Sequence, residues 1–261
     1  MASSFEADYG SVTARYYDLA YANKAGLGAD AGFYRSLARR AGGPVLELGC
    51  GTGRVLLEIA REGIPSTGLD ASQHMLDAFR AKAGALPTLR LLCARMQDFD
   101  LGEERFALIF SAFRALQHLY TVEDQLACLA RVRRHLAPGG TFAFDVFSPR
   151  LSRMALDEEP EVEDARFQMP DGDEVVRYTA VVERDRPAQL MHLRMRYERR
   201  RGGQVVANEI AHFAMRWFHR YELEHLAARA GFAEVGIYGD FDRSPPGPET
   251  PSFVVVAGAP P

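Results

Sequence analysis

The chain has 261 residues, 47% of them hydrophobic and 25% charged, which is enough apolar mass for one large α/β domain or one domain with an elaboration. A formal net charge of −4 and a pI near 6.0 remove the electrostatic basis for broad binding to nucleic acid or to a membrane surface. The three cysteines, Cys50, Cys93 and Cys128, have neither paired nor metal-ligand spacing, and their odd count points to reduced thiols in a cytoplasmic setting.

At the start of the chain, Glu6 and Asp8 interrupt any apolar run, so no signal peptide is expected, and nowhere does an apolar stretch approach the ~20 residues of a spanning helix. Apolar spacing predicts a helix near 11–20 and a second over about 29–40, and residues 1–42 are expected to form a helical lid. A strand over 44–48 then runs straight into Gly49-Cys50-Gly51-Thr52-Gly53 and a helix over 53–62. Glycine there permits positive φ and bare amides, and the following helix presents unsatisfied N–H groups, so the turn reads as a nucleotide-cofactor site. Its spacing is GxGxG. Arg54 stands where a dinucleotide fingerprint needs its third glycine, and Glu47 lies two residues before the first. Cys50 reads as a small residue in the turn rather than as an acidified thiol.

Strand and helix patterns continue to alternate: strand 65–69, helix 72–84, strands 89–93 and 106–111, helix 122–136 and strand 140–146. Alternation of this kind implies crossovers and a parallel sheet, with ligands at the carboxyl ends of the strands. The pattern changes over 164–217, which reads as three or four long antiparallel strands joined at Asp171-Gly172, Arg186-Pro187 and Arg201-Gly202-Gly203. In one of them Met191, Leu193, Met195 and Tyr197 alternate with His192, Arg194, Arg196 and Glu198, a half-buried strand with one wet face. The arginines over 194–201 lead into a Gly-Gly turn and are expected to form a solvated hairpin tip rather than a nucleic-acid patch. The doubly wound pattern resumes with a helix over 220–230, ending at Gly231, and strands near 233–238 and 252–257. The expected fold is therefore α/β: a doubly wound, mostly parallel Rossmann-like sheet from 43–150 and 218–261, with an antiparallel β insert over 151–217 after the fifth strand. The insert is expected to roof the active site or to form a dimer surface, and the protein to be a monomer or a homodimer.

Val45-Leu-Glu-Leu-Gly-Cys-Gly-Thr-Gly53, the acidic end of Ser66-Thr-Gly-Leu-Asp70, Phe106-Ala-Leu-Ile-Phe-Ser111, Leu136-Ala-Pro-Gly-Gly140 and Thr141-Phe-Ala-Phe-Asp145 together resemble the class I S-adenosylmethionine-dependent methyltransferases. The resemblance covers roughly residues 8–147. It implies S-adenosyl-L-methionine as cofactor, S-adenosyl-L-homocysteine as product, and Asp70 as the acceptor of the two ribose hydroxyls, a task that suits an acceptor-only carboxylate. Glu47, Gly49, Cys50, Gly51, Asp70, Ala71, Met75, Met96 and Ser111 are the implied cofactor-binding residues. Relatives often carry an acidic residue where this chain has Arg95, which cannot accept a hydrogen bond. Either Asp98 or a backbone carbonyl replaces that contact, or Arg95 points to solvent and adenine is held by packing against Met75 and Met96.

For catalysis the resemblance singles out the loop from Ser111 to Tyr120. His118, before Leu119, is the candidate base, with a reference pKa of ~6.5, its alternative being a histidine packed under the loop. Tyr17, within Arg15-Tyr-Tyr-Asp-Leu-Ala-Tyr21, is the candidate aromatic for excluding water and stabilising a sulfonium, its alternative being an apolar helix face. No histidine pair has metal-ligand spacing, so no metal is expected. Nucleic-acid base methyltransferases of this fold often carry an Asn/Asp-Pro-Pro-aromatic run after the fourth strand, where this chain has Ser111-Ala-Phe-Arg114. That difference favours a small-molecule acceptor methylated on nitrogen or oxygen. The competing readings are an NAD-dependent oxidoreductase, disfavoured by Arg54, and a non-catalytic cofactor-binding protein, for which Arg95 is the positive hint.

Overall fold

A computed structural model describes residues 9–22 and 27–258; Glu6 and Asp8, on which the leader expectation rests, lie outside them. The chain divides into two compact units, one of residues 28–149 and 217–261, the other of residues 1–27 and 150–216.

The larger unit contains most of helix α2 (Leu27–Ala41), then strand β1 (Val45–Leu48), helix α3 (Leu56–Arg61), β2 (Ser66–Asp70), α4 (Gln73–Ala83), β3 (Leu89–Cys93), β4 (Phe106–Ser111), a 3-10 turn (Ala115–His118), α5 (Val122–His135) and β5 (Leu136–Phe147). Strands β1 to β5 run parallel in the order β5-β4-β1-β2-β3. The sheet is completed by the last two strands of the chain, Glu234–Tyr238 and Ser252–Gly258, the latter pairing antiparallel with β5 and with Glu234–Tyr238. The central strands are covered on both faces, which explains their nearly continuous apolar runs. Leu46, Leu48 and Phe144 pack with Leu129 and Val132 of α5 and with Leu223 and Leu226 of the helix Arg220–Arg229. Val45, Leu108 and Phe110 pack instead with Tyr34, Leu37, Leu57, Ile59 and Phe79 from α2, α3 and α4.

Helix α3 starts three residues later than its apolar pattern suggests because Gly53 has φ +83°, outside the right-handed helical region. Its tight seat explains the glycine: a β-carbon there would lie 2.3 Å from the Phe79 ring.

The smaller unit contains α1 (Ser11–Tyr21), α6 (Leu151–Met154) and an antiparallel sheet of β6 (Glu159–Gln168), β7 (Glu174–Asp185), β8 (Leu190–Arg201) and β9 (Gln204–Arg216), in sequence order. Helix α1 is held on this sheet. Tyr16 stacks on Tyr197 with ring centroids 4.8 Å apart, its hydroxyl bonds to Glu209, and Arg15 pairs with the same carboxylate at 2.8 Å. The segment 1–42, expected as one lid, is thus divided between the two units, because α1 carries a tyrosine face matching the insert while α2 carries Phe33, Tyr34 and Leu37 for the parallel sheet.

Strand β6 begins five residues before the expected 164, since Glu-Pro-Glu-Val-Glu-Asp has no apolar alternation. Charges and proline are tolerated there because β6 is an edge strand. The arginines of β8 are ion-paired rather than simply solvated. Arg196 bonds to Glu161 and Glu198, Arg199 to Asp171 and Asp173, and Arg201 to Asp173. These partners neutralise the basic run locally. Among the described residues no helix is long and apolar enough to cross a membrane.

Candidate active site

Because β1, β2, β4 and β5 are parallel and in register, with Leu48 beside Leu69 and Ser111 beside Phe144, the segments leaving them gather at one edge of the sheet. The glycine turn is built there by backbone. The Gly49 and Cys50 amides donate to the Leu69 carbonyl at 2.7 and 3.0 Å, and Gly49, Gly51 and Gly53 all have positive φ. A β-carbon on Gly49 would lie 2.6 Å from Cβ of Ala115, so this glycine lets the 3-10 turn approach, whereas one on Gly51 would meet nothing within 4 Å. Gly51 therefore borders open space.

Asp70 ends β2 and ties the turn down. Its Oδ2 accepts from the Gly51 amide and its Oδ1 from the Ser72 amide, each at 2.8 Å. Burial raises its pKa and the two amides oppose that rise. Each oxygen has a second lone-pair direction, so the carboxylate keeps acceptor capacity for two hydroxyls.

Glu47 is buried on β1, and its Oε2 has no hydrogen-bond partner. Burial holds its pKa well above the carboxylate range, against the pull of Arg54 and the Leu56 amide. The Ser111 Oγ is likewise buried and without a partner. Unsatisfied buried polar atoms are uncommon and call for a ligand or a function. A polar cofactor with ribose hydroxyls and an amino-acid head fits this set: an acceptor carboxylate at Asp70, an open glycine at Gly51, and Glu47 with an acceptor unused.

Asp98 and Arg95 are both exposed, 3.7 Å apart, so Arg95 is turned to the surface beside an acidic neighbour. Ala71 is exposed and Met96 half-buried, while Met75 is fully buried in α4, its amide donating to the capping Ser72 Oγ. Cys50 has a buried thiol and an amide committed to Leu69, which leaves no free group on its side chain or N–H for a ligand. Burial pushes that thiol well above its ordinary pKa. Met75 and Cys50 are thus both packed side chains, one of α4 and one of the glycine turn.

The loop after β4 is fixed at several points. Phe113 and Arg114 both have left-handed backbone, φ 55° and 68°. The Phe113 amide donates to Asp145 Oδ1 at 2.9 Å, and its ring lies under the Arg54 guanidinium, 4.9 Å from centroid. Gln117 is buried and accepts the Phe147 amide at 2.9 Å. Gln125 donates to the Leu119 carbonyl at 2.9 Å. His118, half-buried at the end of the 3-10 turn, stands edge-on to Tyr120 with centroids 6.4 Å apart. Tyr17 is in the other unit, half-buried on α1 with its ring 4.8 Å from that of Tyr21. Among the described residues no three His, Cys, Asp or Glu side chains converge as metal ligands.

Two partnerships in the larger unit went unrecognised in the sequence, Asp30 with Arg54 and Tyr34 with Asp145. Asp30 and Arg54 form a bidentate pair with the carboxylate almost fully buried, and Tyr34 donates to Asp145 Oδ1 at 2.7 Å. One signal was present, an aspartate inside the otherwise apolar Thr-Phe-Ala-Phe-Asp-Val-Phe run of β5.

Residues 45–140 match the family described as Methyltransferase domain. An N,N-dimethyltransferase of dTDP-3-amino-3,4,6-trideoxy-alpha-D-glucopyranose from Streptomyces venezuelae is 35% identical over 96 residues, 37% of this chain and 39% of that protein. A putative methyltransferase of Bacillus subtilis (strain 168) is 30% identical over 106 residues, 41% of this chain and 43% of its own length. The chain thus spans about two fifths of these curated relatives. The CcbJ methyltransferase from Streptomyces caelestis superposes with a TM-score of 0.77 at 29% identity, over 98% of this chain and 99% of that one. Residues 45–140 are thus a methyltransferase domain, and the mostly parallel Rossmann-like sheet matches that of the methyltransferase structure it resembles.

Proposed function

We propose that the protein transfers a methyl group from S-adenosyl-L-methionine to a nitrogen of a small-molecule acceptor, an amino sugar or a comparable amine. The observation that carries this reading is the Asp70 junction, where one carboxylate organises the glycine turn and keeps acceptor capacity for a pair of hydroxyls. The bound cofactor supplies an electrophilic methyl group that carries its own leaving group. What remains for the chain is binding, orientation and proton handling.

In this reading Asp70 holds the ribose, Gly51 admits the cofactor, and Glu47 accepts from the ammonium of its amino-acid head. Ser111 and Met96 border the same space. His118 takes the proton from an acceptor ammonium, freeing its lone pair. Tyr17 is a candidate on its sequence pattern alone, to be tested as Tyr17→Phe. Nitrogen is preferred to oxygen because relatives with similar domains, from Streptomyces venezuelae and Saccharopolyspora spinosa, are named as N,N-dimethyltransferases of amino sugars.

The test is to incubate the full chain with S-adenosylmethionine and a panel of free and nucleotide-linked amino sugars with their hydroxyl counterparts. Mass spectrometry then seeks a product heavier by one methyl group, together with S-adenosylhomocysteine. Methylated amines are expected from wild type, and much less product from Asp70→Ala at S-adenosylmethionine concentrations near the wild-type dissociation constant. Methylation of the hydroxyl counterparts alone would overturn the preference for nitrogen, and failure to bind either adenosyl ligand would overturn the whole reading.

A further inference from the structure

The loop that bears His118 leaves β4 through two consecutive non-glycine residues in left-handed backbone, Phe113 and Arg114. Such conformations are costly for ordinary side chains and persist only where the surroundings over-determine them. Here the surroundings come from two buried acids. Asp145, at the end of β5, accepts the Phe113 amide and the Tyr34 hydroxyl on a single oxygen, and the Tyr34 hydroxyl also lies 3.3 Å from the Ser111 carbonyl. Asp145 and Tyr34 are almost wholly removed from solvent. Asp30 in turn holds Arg54, whose guanidinium covers the Phe113 ring.

We propose that Asp145, braced by Tyr34, is a positioning residue for methyl transfer, holding Phe113 in its left-handed conformation so that the following turn presents His118 at the carboxyl edge of the sheet. The proposal rests on the functional reading above for the role of His118. Its physical content is separate: an acceptor oxygen at this point, rather than a negative charge, sets the loop. Strand β4 separates Asp145 on β5 from β1 and its glycine turn, and β4 and β1 together separate it from Asp70 on β2, so loss of its oxygen disturbs the acceptor side of the site and spares cofactor binding. A group needed only for folding would not divide its effects in that way.

The experiment compares full-length wild type, Asp145→Ala, Asp145→Asn and Tyr34→Phe. Amide exchange of the peptide Ser111–His118 reports the loop directly, whether or not an acceptor is turned over. Exchange there is expected to rise at least about tenfold in Asp145→Ala and to stay within about threefold of wild type in Asp145→Asn, which keeps an oxygen at the same place. With a methylated acceptor in hand, kcat of Asp145→Ala is expected to fall on the order of 10- to 100-fold, while affinity for S-adenosylhomocysteine stays within about twofold. Tyr34→Phe, which removes one bond to Asp145, should fall between. Unchanged exchange in Asp145→Ala, or an asparagine variant as impaired as the alanine one, would overturn the proposal. Should Asp145→Ala fail to fold, Tyr34→Phe decides alone: loop exchange equal to wild type would overturn it. Absence of S-adenosylhomocysteine binding to wild type would instead overturn the functional reading, and the exchange data would still decide whether Asp145 sets the loop.

Discussion

The Asp70 carboxylate and the Gly51 amide meet at 2.8 Å, so the end of β2 holds the turn that follows β1. One side chain therefore has a structural and a binding role, which an alanine substitution must disturb together. Asp70→Ala leaves the Gly51 and Ser72 amides without their acceptor, at a cost of about 1–3 kcal/mol. For a chain of this size that lowers Tm by roughly 2–12 °C. Affinity for S-adenosylhomocysteine should fall at least about tenfold, since a charged hydrogen-bond partner contributes ~1.5–3 kcal/mol. Calorimetry and ligand titration on the same variant check both effects.

Gly49→Ala places a β-carbon 2.6 Å from Cβ of Ala115 at a residue with φ +69°. The Cβ of Ala115 is fixed to its backbone rather than being the tip of a flexible side chain, so the backbone of the turn or of the loop must move. A loss of about 1–3 kcal/mol is expected from overpacking, with left-handed strain in addition. Gly51→Ala has only the strain, because its β-carbon meets nothing in the protein. Thermal melts should rank Gly49→Ala below Gly51→Ala. Affinity for S-adenosylhomocysteine should fall in Gly51→Ala as well, since that β-carbon enters the open space proposed for the cofactor.

Arg54→Ala leaves Asp30 buried without its bidentate partner. Breaking a buried pair from one side costs about 3–5 kcal/mol, and partial exposure of Arg54 favours the lower figure. Asp30→Asn with Arg54→Ala should recover much of the loss, because the uncompensated charge is gone. Arg54→Lys keeps the charge and loses the planar fork, and should fall between. Chemical denaturation of wild type, Arg54→Ala, Asp30→Asn and the double variant gives the coupling; additive losses would contradict the pairing.

Burial lifts Asp145 from its ordinary value of 3.8 to about 6, opposed by Tyr34 and the Phe113 amide, with Asp30 adding to the rise and Arg114 opposing it. A folded-state pKa above the unfolded one means the native protein binds the extra proton. The contribution of Asp145 to stability is thus fully present below about pH 4 and is lost as pH rises through about 6. The difference amounts to about 3 kcal/mol. Asp145→Asn does not titrate, so its stability relative to wild type should improve by up to about that amount between pH 4 and pH 7. A difference independent of pH would show that Asp145 does not titrate in this range.

The parallel sheet was legible because its central strands are largely apolar and its turns carry glycine, signals that survive in a linear sequence. The glycine turn and Asp70 were legible for the same reason, their positions being fixed by strand ends. How deeply Met75 and Cys50 are buried was not legible, since periodicity places a residue on a helix or in a turn without saying how far its tip is removed from solvent. Arg54 was read only as a missing glycine. Its partnership with Asp30, twenty-four residues earlier, and that of Tyr34 with Asp145, separated by 111 residues, depend on tertiary packing that no local pattern encodes. The division of the N-terminal helices is of the same kind: Tyr16 belongs with Tyr197 and Glu209, partners far along the chain.

The most direct measurement is isothermal titration of the full chain with S-adenosylhomocysteine, repeated with NAD and with Asp70→Ala. One saturable site for S-adenosylhomocysteine, weakened at least about tenfold by the substitution and unmatched by NAD, is expected. No binding of S-adenosylhomocysteine to folded wild-type protein, or tighter binding of NAD, would contradict it.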